Sequence, residues 1–161
     1  MPKVSNEQLY SFLYDSPIGP LTLVASERGL VALEFGKRNH PDAIENSARL
    51  APCRQQLAEY FAGNRQEFSI SLDIRGTAFQ KRCWQELLKI PYGQTRSYRQ
   101  IAEAVGNRNA VRAVGLANGQ NPIAIIVPCH RVIASDGTLC GYGGGLELKE
   151  ELLRLEGARL F

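Results

Sequence analysis

A run of five apolar residues, 123–127, ends directly at the sequence Pro128-Cys129-His130-Arg131. We interpret the run as a buried strand. A thiol at the end of such a strand, with an imidazole and a guanidinium beside it, is placed like a nucleophile. Because the chain has only two histidines, His40 and His130, the second is the natural candidate for a base that serves Cys129.

The alternative is that the thiols are small buried hydrophobes, as free cysteines often are. We expect this of Cys53 and of Cys83, which lies at helical spacing with apolar neighbours. Cys140, beside a glycine, is interpreted as incidental. Cys129 differs because Pro128 fixes the backbone before it and two cationic or cationisable side chains follow it.

The length and composition bound the class of protein. The chain has 161 residues, of which 44% are hydrophobic, enough for one medium domain or two small ones with a core. It has no apolar stretch near the length of a membrane span, and its start lacks the apolar segment of a secretory signal. Four cysteines without regular spacing indicate a reducing compartment. We therefore expect a globular, cytoplasmic protein without a membrane partner.

Basic residues are concentrated in the middle third of the chain. Residues 75–131 hold nine Lys or Arg and two Asp or Glu, whereas residues 1–74 and 132–161 each carry a net charge of −2. A basic surface over so few residues predicts a polyanionic partner such as nucleic acid. A solvated basic face is the alternative, and the motif inside this segment favours nucleic acid.

The first half of the chain has the pattern of an antiparallel meander. Apolar runs separated by turn-forming clusters predict three short strands, at 10–14, 21–25 and 30–35. The pattern then predicts a polar loop over 36–42, a helix over 52–62 and a strand over 68–72. We expect residues 1–74 to form a small α/β domain that carries no chemistry of its own.

The second half, residues 75–161, is predicted to be mostly helical. Thr77 is a candidate N-cap for a helix that stops at Pro91, and the sequence 97–100 is a capping box for a helix that runs to Gly106. A further helix is predicted over 110–118. The last two helices and the short link between them predict a helix-turn-helix, and the fold class is therefore α+β.

The second helix of this pair is unusual for a reader of the major groove. It offers small apolar residues and one arginine, among them Ala110, Arg112, Ala113 and Gly115, whereas base readout uses Arg, Asn or Gln aimed at base edges. Small residues would let the helix press into the minor groove, where Arg112 could insert beside the base stack. The alternative for Arg112 is an ordinary solvated helix charge.

A glycine-rich segment, 141–145, follows the candidate nucleophile. A thiol that cannot reach a base inside duplex DNA requires the target nucleotide to be rotated out of the stack. Glycines let the main chain approach a flat ligand closely and present N–H groups to it. We interpret the segment as a wall of the pocket for the rotated base, and a tight loop is the alternative.

The stretch from Arg75 to Glu156 resembles the catalytic domain of the O6-alkylguanine-DNA alkyltransferases, also called methylated-DNA–protein-cysteine methyltransferases. The motifs that carry the resemblance stand in unbroken order. They are Pro91-Tyr92-Gly93, Ser97-Tyr98, Arg112-Ala113-Val114-Gly115, Asn121-Pro122, Ile126–Ile133, Gly141-Tyr142, Gly144-Gly145 and Leu152–Gly157. Residues 15–21 resemble the opening hairpin of the family's N-terminal domain.

The resemblance implies a role for each residue around the thiol. Cys129 would accept the alkyl group, and His130 would take its proton through a bound water. Glu156 would orient the histidine, although without the resemblance it would be interpreted as a solvated helix residue. Tyr98 would assist the leaving guanine and crowd the phosphate that turns during base rotation.

Further residues would shape the pocket. Asn121 would brace the segment between the helix pair and the thiol. The carbonyls of Cys129 and Val132 and the backbone around Gly143 would bind the guanine edge, with Tyr142 as part of the pocket. The resemblance also implies a ribonuclease H-like first domain and a winged-helix-like second domain.

The implied activity is DNA repair, in which the alkyl group of O6-alkylguanine, and also of O4-alkylthymine, passes from duplex DNA to Cys129. Nothing in the chain could break the thioether product, so each molecule would act once. The sequence has no nucleotide-binding fingerprint and no cluster with metal-ligand spacing, and we expect neither a cofactor nor a metal. We expect a monomer that can cluster on DNA.

Three other classes of protein compete with this interpretation. A non-catalytic protein that binds alkylated bases would have a tryptophan in place of Cys129. A cysteine hydrolase normally takes its histidine from a remote part of the chain, which leaves only His40 in a polar loop. A regulatory helix-turn-helix protein would present a more polar second helix than this one.

Overall fold

The computed structural model describes residues 7–158 and has the expected α+β class. The predicted meander is confirmed as β1 (Leu9–Ser16), β2 (Gly19–Ala25) and β3 (Leu30–Phe35). A short strand that the sequence did not reveal, β4 (Ala43–Glu45), pairs in parallel with β1 and gives the order β3-β2-β1-β4. The start of the chain, where we expect no secretory signal, and the last three residues of the predicted second domain lie outside the described residues.

Helix α1 (Ser47–Phe61) packs against β1 and β2. It begins five residues before the predicted start, because the side chain of Asn46 accepts a hydrogen bond from the Arg49 N–H and caps it. Pro52, the predicted first residue, lies inside the helix. The buried face of α1 ends at Tyr60, whose side chain is thereby directed into the core shared with the second half.

The second half contains four helices among the described residues: α2 (Ala78–Leu87), α3 (Tyr98–Ala104), α4 (Val111–Gly119) and α5 (Leu146–Leu155). The capping boxes at Thr77 and Ser97 are both present, each closed by a glutamine three residues later. Helices α3 and α4 pack on each other and on α2. Two short parallel strands, β5 (Arg96–Ser97) and β6 (Val132–Ile133), connect the start of α3 to the segment after Cys129.

Two predicted strands are wrong. Residues 68–72 form no strand and make only one parallel bridge, between Leu72 and Leu30. Residues 123–127 form a buried turn, with one bridge at Ile123 and with Ile125 in the left-handed region at φ 70°. Short apolar runs indicate burial but do not distinguish a strand from another buried backbone path.

The turn at 123–127 is joined to the edge of the N-terminal sheet. The N–H of Leu33 donates to the Pro122 carbonyl at 2.9 Å, and the N–H of Ala124 donates to the Leu33 carbonyl at 3.0 Å. One apolar cluster runs through both halves and includes Cys53 and Cys83, which confirms their predicted core positions. Over residues 7–158, no helix combines the length and apolar character that crossing a membrane requires.

Candidate active site

Cys129 is the first residue of a single 3-10 turn, Cys129–Arg131, that follows the buried turn at 123–127. The residue is 6% exposed, and its carbonyl accepts a hydrogen bond from Nδ2 of Asn118 in α4 at 3.3 Å. A 3-10 turn has three residues per turn, so consecutive side chains diverge by about 120°. His130 and Arg131 are therefore directed away from the thiol and contact the end of α5.

The carboxylate of Glu156, the residue that caps α5, is the centre of a buried network. It accepts hydrogen bonds from His130 Nε2 at 2.7 Å, from Arg131 Nε at 2.7 Å and Nη2 at 3.0 Å, and from the Tyr60 hydroxyl at 2.6 Å. Burial opposes ionisation, but the hydrogen bonds from His130 and Arg131 outweigh it and lower the pKa of Glu156 to about 2. Glu156 is therefore ionised at neutral pH.

His130, the second residue of the 3-10 turn, is fully buried and directs its Nε2 at this carboxylate. Burial lowers its pKa below the ordinary value despite the hydrogen bond to Glu156, so the imidazole is neutral at pH 7. Because Glu156 is a carboxylate and only accepts, the ring hydrogen lies on Nε2 and the lone pair on Nδ1. Nδ1 has no hydrogen-bond partner among residues 7–158, which leaves it able to accept a proton.

The Cys129 thiol is held protonated by its surroundings. Burial raises its pKa, while Asn121, Tyr142 and the charge of Lys149 act in the opposite direction. Because the thiolate is the nucleophilic form, reaction at this residue requires a base to remove the proton.

Lys149 in α5 is a fully buried cation close to the thiol. Its Nζ donates to the Val132 carbonyl at 2.6 Å and to the Cys140 carbonyl at 2.9 Å, and it lies 5.9 Å from the centre of the Tyr98 ring. Burial lowers its pKa. The lysine thus connects the residue after the 3-10 turn to Cys140, the residue before the glycine-rich segment, and its charge favours a thiolate at Cys129.

Asn121 closes the turn at 123–127 with its side chain. Its Nδ2 donates to the Val127 carbonyl at 2.8 Å, and its Oδ1 accepts from the Ile123 N–H at 3.0 Å. The amide therefore holds both ends of the turn, which is the geometry that bracing requires.

A cavity of about 590 Å³ opens beside the thiol, a volume within the range of small-molecule sites. Its walls come from β3, α3, α4, the turn at 123–127 and the glycine-rich segment. The lining residues are Leu33, Glu34, Phe35, Arg38, Tyr98, Gly115, Asn118, Gly119, Asn121, Ala124, Cys129, Gly141, Tyr142 and Gly143.

Two tyrosines present their rings to this cavity. Burial raises the pKa of Tyr98 to about 12, so this phenol stays neutral and can donate a hydrogen bond. The hydroxyl of Tyr142 is buried without a hydrogen-bond partner among the described residues, and it lies close enough to the thiol to lower the pKa of Cys129. No cluster of three or more His, Cys, Asp or Glu side chains within residues 7–158 could hold a metal ion.

Models of two protein-family domains match almost the whole chain. The DNA-binding domain of 6-O-methylguanine DNA methyltransferase matches residues 78–158, and the ribonuclease-like domain of the same family matches residues 9–74. The chain belongs to the O6-methylguanine DNA methyltransferase family. The family predicted from the sequence is thereby confirmed.

Individual relatives agree with this membership of the methyltransferase family. The methylated-DNA–protein-cysteine methyltransferase of Methanosarcina barkeri is 50% identical over 92% of this chain and 97% of its own length. That of Mycobacterium leprae is 56% identical over 88% of each chain. A crystal structure of Mycobacterium tuberculosis OGT in complex with DNA is 49% identical, has a TM-score of 0.86, and covers 95% of this chain and 94% of that one. The predicted class of enzyme is confirmed by these relatives.

Helix α4 presents the small residues expected of this member of the methyltransferase family. Ala110 occupies its N-cap position, and Arg112 and Ala113 are exposed. A Cβ built at Gly115 meets nothing within 4 Å, so packing does not require the glycine. Arg112 makes no hydrogen bond or ion pair with another described residue.

The structure brings most of the predicted site residues of this methyltransferase together. Cys129, Tyr98, Asn121, Tyr142, Gly143 and Gly115 line one cavity, and His130, which follows Cys129 in the chain, is hydrogen-bonded to Glu156. Val132 does not line this cavity, and its carbonyl accepts from Lys149. The idea that Glu156 is a solvated helix residue is wrong, because the end of α5 packs into the core.

Four residues of this methyltransferase site were missed from the sequence. Arg131 was interpreted as a neighbour of the thiol, but it binds Glu156 and the Ile90 carbonyl instead. Tyr60, Asn118 and Lys149 lie on helix faces that also carry buried apolar residues. A polar side chain at an apolar position of a helix was the available signal for them.

Proposed function

We propose that this chain repairs duplex DNA by transferring the alkyl group of O6-alkylguanine to the Sγ of Cys129. The observation that carries the proposal is the buried thiol on the wall of a cavity of about 590 Å³, next in the chain to a neutral histidine that is hydrogen-bonded to an ionised glutamate. A soft thiolate is suited to attack on an alkyl carbon. Membership of the methyltransferase family and the relatives described above support the same activity.

The nucleophile is generated by the network behind it. Cys129 gives up its proton, through a bound water, to Nδ1 of His130, and the resulting imidazolium is stabilised by Glu156. The thiolate then attacks the alkyl carbon, a carbon–sulfur bond forms, and the bond between that carbon and O6 breaks. The electron pair of the broken bond leaves with guanine.

The departing guanine needs a proton or a hydrogen bond to be a good leaving group. Tyr98 is a neutral phenol on the wall of the same cavity and supplies this donor. The backbone of Cys129 and Gly143 binds the guanine edge, and Tyr142 covers the ring. For Val132 a contact with guanine stays a prediction, since its carbonyl already accepts a hydrogen bond from Lys149.

Access to the base requires it to leave the helix stack. Helices α3 and α4 act as a helix-turn-helix, with Ala110, Ala113 and Gly115 allowing close approach and Arg112 inserted beside the stack. We place the boundary of the two domains near residue 74, so that the α/β domain supports the site and the second domain holds DNA.

The thioether product is stable, and each molecule therefore acts once. A non-catalytic binder of alkylated bases is the second candidate, but a thiol at position 129, and a neighbouring His130 whose Nδ1 has no hydrogen-bond partner among the described residues, support alkyl transfer instead. Transfer from O4-alkylthymine, a monomeric free protein, clustering on DNA and a cytoplasmic location stay predictions.

Incubation with a duplex containing a single O6-methylguanine tests the proposal. Peptide mass spectrometry is expected to find one methyl group, on Cys129, with an end point of one per molecule. Cys129→Ser should accept none, whereas Cys140→Ser, which changes the other cysteine of this region, should react like the unaltered chain. Multiple turnovers, or methylation of Cys53, Cys83 or Cys140, would refute it.

A further inference from the structure

One wall of the cavity comes from the N-terminal half of the chain. Leu33, Glu34 and Phe35 of β3 line it, and Phe35 contacts the glycine-rich segment. The two backbone hydrogen bonds that join Leu33 to Pro122 and Ala124 fix this strand relative to the turn that precedes Cys129. The distance between the wall and the thiol is therefore set by backbone contacts and not by flexible side chains.

Phe35 is the aromatic residue of this wall, and it contacts the pocket tyrosine directly. Its ring centre lies 5.6 Å from that of Tyr142, with an angle of 60° between the planes, an edge-to-face arrangement that aromatic pairs prefer. Tyr142 in turn places its buried hydroxyl next to the Cys129 thiol. The phenyl ring of Phe35 is thus separated from the reacting sulfur by a single side chain.

The glycine-rich segment also accommodates the Phe35 ring at Gly144, where there is no side chain. A Cβ at Gly144 would lie 2.8 Å from Cδ2 of Phe35 and 2.9 Å from Cδ1 of Leu148, closer than real Cβ contacts allow. Phe35 is consequently held between Tyr142 and Gly144. These two neighbours restrict the movement of the ring away from the cavity.

We infer that Phe35 is a specificity-determining residue, which limits the size of the O6 substituent that the cavity accepts. The inference rests on the proposed function. During transfer from O6 to Sγ, the alkyl group must occupy the space beside the thiol. Tyr142 and Phe35 form the boundary of this space. A methyl group needs little of this space, whereas a benzyl group extends towards the N-terminal wall.

Single-turnover rates on two substrates test this role. The same duplex is prepared with O6-methylguanine or with O6-benzylguanine, so that DNA binding and base rotation cancel in the ratio of the two rate constants. Phe35→Val is expected to raise the benzyl-to-methyl ratio about three- to tenfold, as the change in side-chain volume gives pocket-size effects of this order. Phe12→Val is the matched control, because Phe12 lies in β1 of the same sheet, is half-buried, and does not line the cavity.

Gly144→Ala gives an independent readout of the same contact. It should lower the benzyl rate more than the methyl rate, because the new methyl group pushes the Phe35 ring into the cavity. Combining it with Phe35→Val should restore part of the benzyl rate, since the clash with Phe35 is removed while the contact with Leu148 remains. A purely structural role for Phe35 would make the double variant worse than either single one.

The outcomes separate the two proposals. A ratio for Phe35→Val within twofold of the unaltered chain, whether both rates fall or neither does, would overturn the role of Phe35 while leaving alkyl transfer intact. If the unaltered chain takes no alkyl group from either duplex, the proposed function itself fails, and the role of Phe35 fails with it. Should the valine variant not fold, Phe35→Leu is measured in its place, with Phe12→Leu as its control.

Discussion

Arg131 binds the Glu156 carboxylate with two hydrogen bonds, Nε to Oε1 at 2.7 Å and Nη2 to Oε2 at 3.0 Å, while its Nη1 donates to the Ile90 carbonyl at 2.7 Å. The guanidinium therefore fixes the plane of the carboxylate that His130 and Tyr60 share. A planar donor with several N–H groups can do this, but a lysine cannot. Arg131 is accordingly a positioning residue for the proposed base.

Replacing Arg131 with lysine should impair both folding stability and alkyl transfer. Lysine retains the charge but loses the two hydrogen bonds to the carboxylate. Removing one partner of a buried ion pair, as in Arg131→Met, typically lowers the free energy of unfolding by about 3–5 kcal/mol. We expect a smaller loss for lysine than for Arg131→Met, measured by urea unfolding, and a slower single-turnover rate. Arg154→Lys, which alters an exposed pair with Glu150, is the control. Equal behaviour of the Arg131 and Arg154 variants would contradict this view.

The ionisation of Glu156 should make stability depend on acidity. Its pKa falls from an ordinary 4.5 to about 2 in the folded chain, so its stabilising contribution is complete above pH 4.5 and is lost as the pH falls towards 2. The shift corresponds to about 3 kcal/mol. Urea unfolding between pH 7 and pH 3 should show a shallower decline for Glu156→Gln than for the unaltered chain. Glu150→Gln, at an exposed pair with Arg154, should keep the original slope. An original slope for Glu156→Gln as well would show that its carboxylate does not contribute to the acid dependence.

The local parts of this site could be predicted from the sequence, whereas the buried partners could not. The N-cap at Thr77 and the capping box at Ser97 depend on residues at most three positions apart and were predicted correctly, although the box that Gln80 closes at Thr77 was not predicted. The role of Glu156 came only from the family resemblance, because its contact with Tyr60 spans 96 positions of the chain. Such partners depend on how α1 and α5 pack, which periodicity does not specify.

The turn at 123–127 illustrates a different limit. Its five apolar residues correctly indicated burial, but the backbone is closed by the side chain of Asn121 and passes through a left-handed Ile125. A β-branched residue rarely adopts this conformation, so no local preference predicts it. Cys129 was predicted to follow the end of a buried strand, but it follows a buried turn and begins a 3-10 turn.

Lys149→Met should slow the reaction chiefly at neutral pH. Removing the buried charge raises the pKa of the Cys129 thiol, because Lys149 is one of the groups that lower it. The single-turnover rate should fall at pH 7 and recover partly as the pH is raised. Iodoacetamide labelling of Cys129 as a function of pH should shift in the same direction. Lys89→Met, at an exposed pair with Glu86, should leave both pH profiles unchanged. An unchanged profile for Lys149→Met would show that the charge of Lys149 does not lower the pKa of Cys129.

Arg112→Ala should reduce repair of duplex DNA more than reaction with free O6-benzylguanine, because a free base needs no rotation out of a stack. Binding of undamaged duplex by the unaltered chain should be independent of sequence and weaken steeply with salt. Arg54→Ala, an exposed arginine of α1 outside the basic segment, is the control. Equal losses on duplex and free base would assign Arg112 to the fold and not to base rotation.

The alkylated protein should be less stable than the free one. Cys129 lies close to Asn121, which holds the turn at 123–127, and to Tyr142 of the glycine-rich segment, and we expect a group added on Sγ to crowd these side chains. Overpacking of this kind costs about 1–3 kcal/mol. Since 1 kcal/mol corresponds to about 2–4 °C in a chain of this size, the thermal midpoint of the benzylated protein should fall by several degrees. The strain passes through Asn121 to the link with α4, so release of DNA should accompany it. An unchanged or raised midpoint would show instead that the cavity accommodates the product without displacing Asn121 or Tyr142.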